Sequence, residues 1–128
     1  MSSEHLWVYG TLRHGCSNQH ARLLRDASRY LGPARVQARL YRVDWYPGVR
    51  LGGSPEDWVI GDVFQILEPS TLAELDRYEG SDEYHRVLAE AVLVSGDVSG
   101  DRLSCWVFEY LGVVSESRRI ASGDWLAG

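Results

Sequence analysis

Lysine is missing from this chain: all 13 basic residues are arginine. That removes Schiff-base chemistry on a lysine, lysine-dependent phosphate loops and ordinary lysine acylation. Cysteine is almost as scarce. Cys16 and Cys105 are the only two, and no CxxC or HxxxH spacing links them to His5, His14, His20 or His85. The expectation is therefore no metal site and reduced thiols, with Cys16 an incidental one. No apolar run approaches the roughly 20 residues that a membrane-spanning helix needs. The start, Met1-Ser2-Ser3-Glu4-His5, has neither the basic flank nor the apolar stretch of a signal peptide. These absences predict a soluble, cytoplasmic protein with no membrane partner. Positive charge is also in deficit: 18 acidic residues against 13 arginines leave a net charge of -5. Such a surface repels a phosphate backbone, so no nucleic-acid partner is expected.

What is present suits one core. The 128 residues are 45% apolar, with five tryptophans and seven tyrosines, which predicts a single domain over 1–128. Leu6-Trp7-Val8-Tyr9 reads as a strand ending at Gly10. Ser17 or Asn18 can cap a helix through about Asp26, with Ala21 and Leu24 inward. The alternation from Tyr30 to Val43 predicts a strand, Tyr46-Pro47-Gly48-Val49 a turn, and Leu51 to Pro55 a loop. Trp58 to Leu67 is a second strong strand, in which Gly61 marks a bulge or a close approach. Pro69 and Ser70 open a second helix and Gly80 closes it. Strands over Val87–Val94 and Leu103–Tyr110 follow, joined by a Gly/Asp/Ser loop, and the tail from Arg118 is less regular. Short connections exclude βαβ crossovers between the later strands, so the fold class is α+β, with a curved sheet or barrel.

Two segments carry chemistry. On the second helix, residues 72, 75 and 79 share one face. Leu72 and Leu75 mark it as buried, so Glu79 continues an apolar stripe at the negative end of the helix dipole. Both features disfavour the charged carboxylate and make it a better proton acceptor near neutral pH. Competing readings are a frayed end that lets Glu79 reach solvent, or a buried structural bond to Arg77, Arg86 or a backbone amide. Asp76 shares the face, and Tyr84 and Arg86 follow the Gly80 turn. The other segment is Tyr9-Gly10-Thr11-Leu12, with Gly15 beyond. Gly10 lets the backbone approach a ligand, successive N–H groups can hold an anion, and Thr11 adds a hydroxyl. An ordinary strand-to-helix connection is the plainer alternative.

Taken in order and spacing, Tyr9-Gly10-Thr11-Leu12 with Gly15, Gly61-Asp62-Val63-Phe64, Leu75-Asp76-Arg77-Tyr78-Glu79-Gly80, and Tyr84 with Arg86 resemble the gamma-glutamylcyclotransferase-like family. The segment Tyr9 to Gly15 is more similar to its gamma-glutamylamine cyclotransferase branch. The resemblance implies a small mixed β-barrel with flanking helices. It also implies conversion of a gamma-glutamyl group to 5-oxoproline with release of an amine, without metal or cofactor. Glu79 would then be the catalytic acid/base, and Tyr9, Gly10, Thr11, Leu12 and Tyr84 would bind the substrate. Two other functions stay open from sequence: a non-catalytic small-molecule binding module, and gamma-glutamyl deprotection in a biosynthetic pathway. The leaving amine and the oligomeric state are not encoded in these motifs.

Overall fold

The computed structural model describes residues 4–10, 19–44, 46–68, 70–79, 83–94 and 102–126, without the side chains of His20, Asp76, Tyr78 and Glu79. Among the described residues six strands and two α-helices follow in chain order. They are β1 (Glu4–Val8), α1 (Gln19–Asp26), β2 (Ser28–Arg42), β3 (Pro47–Leu51), β4 (Trp58–Ile66), α2 (Ser70–Glu79), β5 (Tyr84–Leu93) and β6 (Arg102–Tyr110). Antiparallel pairs join β1 to β4, β4 to β2, β2 to β5 and β5 to β6. A parallel contact, Leu6 to Trp106, returns β6 to β1 and closes five strands into a mixed barrel. The sixth strand, β3, extends β2 by an antiparallel ladder and meets β6 in parallel at Val49 and Glu109.

The two-residue period of the strands sorts side chains between two cores. In β1, Trp7 points into the barrel while Leu6 and Val8 point outward, yet all three are at most 3% exposed. The outward face is buried because the helices cover it: Leu24 of α1 and Leu72 and Leu75 of α2 join Leu6, Val8 and Phe64 in one cluster. Inside, Trp7 packs with Val36, Leu40, Val59 and Val107, and its indole Nε1 donates to the Ala34 carbonyl at 2.9 Å. A buried indole N–H without such a partner would be costly, so this bond fixes the ring. Opposite it, the main chain of β4 comes so close that a Cβ on Gly61 would lie 2.3 Å from the Val8 carbonyl oxygen. Gly61 is thus the close approach anticipated from sequence, and the register shift sits instead in β2, between Tyr30 and Gly32.

One expected turn is a strand. Pro47 to Leu51 form β3, and the reason is positional: Pro47 is its first residue, where a missing N–H leaves the ladder intact. Extending β5 back to Tyr84 has a similar cause, since Tyr84 registers with Tyr110 and Leu111 donates its N–H to the Glu83 carbonyl at 2.7 Å. The expected helix start at Pro69 and stop at Gly80, the caps at Ser17 and Asn18, and residues 95–101 between β5 and β6 lie outside the described residues. No helix among the described residues is long and apolar enough to cross a membrane.

The irregular tail is a strap. Ile120 donates its N–H to Leu40 of β2 at 2.8 Å, and Gly123 accepts from Ile60 of β4 at 2.8 Å. Asp57 fastens it from the loop before β4. Its carboxylate accepts from Arg39 Nε at 2.8 Å, from the Ser54 N–H at 3.0 Å and from Arg119 Nη2. The bond from Arg39 foremost, then the Ser54 amide, holds the Asp57 carboxyl well below the usual carboxylate range. A carboxyl depressed by folding contributes stability in full above its unfolded value of about 3.9, and loses it as pH falls through the folded value. Asp57→Asn is therefore expected to lower the thermal midpoint at neutral pH and to flatten its fall below about pH 4. Midpoints measured across that range check this; parallel curves for the two proteins would contradict it.

Candidate active site

β1 and β3 lie one after the other along the same edge of β6, at Trp106 and at Glu109. Between them the ladder is open, and the chain leaves β1 there through Tyr9 and Gly10. The Tyr9 ring turns into the barrel, 5.3 Å from Trp7. Its hydroxyl donates to the Phe108 carbonyl of β6 at 2.7 Å and accepts the Val49 N–H of β3 at 3.3 Å. One phenol thus bridges two strands beside their main-chain pairing at Val49 and Glu109. Gly10 then passes Pro47 so closely that a Cβ would sit 2.8 Å from Pro47 Cγ.

Tyr84, the first residue of β5, ties the other wall to the same point. Its hydroxyl donates to the Pro47 carbonyl at 2.6 Å, and its ring meets Tyr110 edge-on at 5.4 Å. It also belongs to the outer cluster with Leu72 and Leu75, which are 7% and 0% exposed. Through Tyr84, then, the buried face of α2 is linked to Pro47 and so to the Gly10 turn. Glu79 is the last residue of α2, and helical spacing sets its backbone on the face of Leu72 and Leu75. Its side chain lies outside the described residues, as do Thr11 and Leu12. Of the partners considered for Glu79, Arg77 donates to Glu74 at 2.6 Å on the surface. Arg86 stacks 4.5 Å over the Trp106 ring.

Sequence reasoning missed Tyr46 and Glu83. The Tyr46 hydroxyl donates to Glu83 at 2.9 Å, and its ring lies 6.4 Å from Tyr84. Burial, then the hydrogen bond to Glu83 and its charge, push the Tyr46 phenol up to about 12, so it is a neutral donor at physiological pH. Reading Tyr46 to Val49 as a turn hid this pair. A proline able to open a strand at 47 was the available signal. Cys105 plays no comparable part: it is fully buried in the barrel, and burial pushes its thiol up to about 12.

The comparisons with known proteins bear on the family and the fold. The family model for "Gamma-glutamyl cyclotransferase, AIG2-like" matches residues 6–127. The gamma-glutamylcyclotransferase family protein YtfP of Escherichia coli K12 is 36% identical over 127 residues, covering 94% of this chain and 95% of the relative. Among solved structures, an AIG2-like protein from Mus musculus superposes with a TM-score of 0.70 at 18% identity, over 92% of this chain and 83% of its own. The uropathogenic E. coli protein c4763 does so with a TM-score of 0.70 at 20% identity, over 99% and 95%. At those identities the structures show a shared fold, while the sequence matches extend over nearly the whole chain, and on that ground the chain belongs to the AIG2-like gamma-glutamyl cyclotransferase family.

Proposed function

We propose that the protein is a cofactor-independent cyclotransferase that converts a gamma-glutamyl amine or dipeptide to 5-oxoproline and a free amine, with Glu79 as general acid/base. The observation that carries the reading is the convergence at Pro47: the Gly10 turn touches it, Tyr84 holds its carbonyl, and the buried face of α2 reaches it through Tyr84. In a gamma-glutamyl substrate the nucleophile and the electrophile belong to one molecule. The α-amine attacks the γ-carbonyl, a five-membered ring forms, and the bond from that carbonyl to the leaving nitrogen breaks. Gripping the ring-closing conformer supplies the proximity term, so no covalent intermediate is needed. Backbone amides from Gly10 to Leu12 are the group proposed to hold the α-carboxylate. Glu79 takes the proton that the attacking amine loses and returns it to the departing one. Tyr9 contributes its main chain, because its hydroxyl is spent on Phe108 and Val49.

The test is 5-oxoproline release from a panel of gamma-glutamyl amines and dipeptides. Wild-type protein is expected to turn over at least one class. Gly10→Ala is expected to lower its kcat/KM by roughly tenfold to a hundredfold with the fold intact, since the added Cβ displaces the turn from Pro47. Saturable binding of the panel without any 5-oxoproline would make the protein a binding module instead.

A further inference from the structure

A second site stands apart from the proposed chemistry. Where the strap crosses β2, the end of that strand (Arg42) and residues 117–122 line an open surface cleft of about 480 Å³, within the size range of small-molecule sites. Three of its lining residues are arginines, two are serines and none is acidic, although the chain as a whole carries a net charge of -5. Arg119 is already paired, with Asp57 and at 3.9 Å with Glu116. Glu116 is itself held by the Tyr41 hydroxyl at 2.9 Å. Arg42 and Arg118 have no carboxylate partner among the described residues. The Arg42 guanidinium lies 4.7 Å over the Trp125 ring, a stacking that fixes its plane and leaves its N–H edge available. Arg118 uses one donor, Nη1, on the Val43 carbonyl at 2.8 Å, which anchors the side chain and leaves its remaining N–H groups for a ligand.

We propose that this cleft binds the phosphoryl group of a small molecule, gripped between Arg42 and Arg118. A planar carboxylate is satisfied by one arginine fork. Two anchored guanidinium groups, with Ser117 and Ser122 at the rim, suit a tetrahedral dianion with three acceptor oxygens. The phosphoryl group can come from orthophosphate itself or from a phosphate ester, and the size of the cleft favours the ester.

Calorimetric titration of the full chain at fixed ionic strength tests this, with orthophosphate, glycerol 3-phosphate and succinate as probes. Glycerol 3-phosphate is expected to bind saturably, with a dissociation constant on the order of 1 mM or tighter, and orthophosphate more weakly. The double variant Arg42→Gln/Arg118→Gln is expected to weaken both by at least about tenfold. Because Arg118 also supports Val43, Ser117→Asp provides a second route: it adds a negative charge at an exposed position and should weaken binding similarly without removing a native bond to the main chain. Orthophosphate binding as tightly as the ester would assign the site to the free ion. Absence of saturable binding, undiminished affinity in both variants, or succinate binding as tightly as the phosphates would overturn the proposal.

Discussion

Glu79→Gln is expected to lower the rate of 5-oxoproline formation by about 10²- to 10⁴-fold, the range that a positioned acid/base supplies. Glutamine keeps the shape of the side chain and can still accept a hydrogen bond, but it cannot take the proton of the attacking amine. The loss should fall on kcat with KM little changed, because the group acts on the transition state rather than in ground-state binding. A second signature separates chemistry from packing. The wild-type kcat/KM should decline at acid pH as the base protonates, whereas the variant, which must use substrate already in the free-amine form, should instead gain activity with pH up to about 8, the range in which an α-amine loses its proton. Single-turnover rates with the best substrate of the panel measure both. A variant within threefold or so of wild type, with the acid limb retained, would remove Glu79 from the mechanism.

The largest effect on stability is expected at Gly61. A Cβ there meets the Val8 carbonyl oxygen at 2.3 Å and the Trp7 indole at 2.7 Å. Neither obstacle yields easily: one is main chain within the β1–β4 ladder, and the other is a ring that is 0% exposed and bonded to the Ala34 carbonyl. Gly61→Ala is therefore expected to cost about 3 kcal/mol or more, because interiors near close packing absorb extra volume only by shifting backbone. For a chain of this size that lowers the thermal midpoint by roughly 10 °C. A midpoint within about 2 °C of wild type would mean that β1 and β4 separate freely, against the packing described above.

How far the sequence disclosed this architecture depended on whether the controlling signal was local. Alternation in Val36, Ala38 and Leu40 identified β2, and the spacing of Leu72 and Leu75 identified the buried face of α2, since burial periodicity is written along each element. The close approach of β4 to the Trp7 ring and the Val8 carbonyl was legible as a single glycine, Gly61. By contrast, Pro47 to Leu51 resembled a turn because their strand character comes from partners at β2 and β6, distant in the chain. The choice of a closed barrel over a curved sheet was reached through family resemblance; alternating patterns say that a strand has two faces, not which strands close a ring. Motif order singled out Gly10 and Tyr84, which the structure brings together at Pro47. The internal use of the Tyr9 hydroxyl was not, because its acceptor lies at residue 108. The arginine-lined cleft left no trace in the sequence, as Arg42 and Arg118 belong to segments that meet only in the fold.

The open seam along β6 has a consequence for synthesis on the ribosome. β1 can pair with β4 once about half the chain has emerged, but the stitch from Tyr9 needs residues 49 and 108 together. Ring closure through Leu6 and Trp106 likewise awaits β6. Contacts this distant in sequence form late, because the entropy of closing long loops opposes them. A nascent chain stalled before residue 102 would hold Gly10, Pro47, Tyr84 and α2 but lack β6, to which the Tyr9 hydroxyl and β1 are tied. The barrel is thus closed last, and chains that terminate early lack the strand that fixes the Tyr9–Gly10 segment.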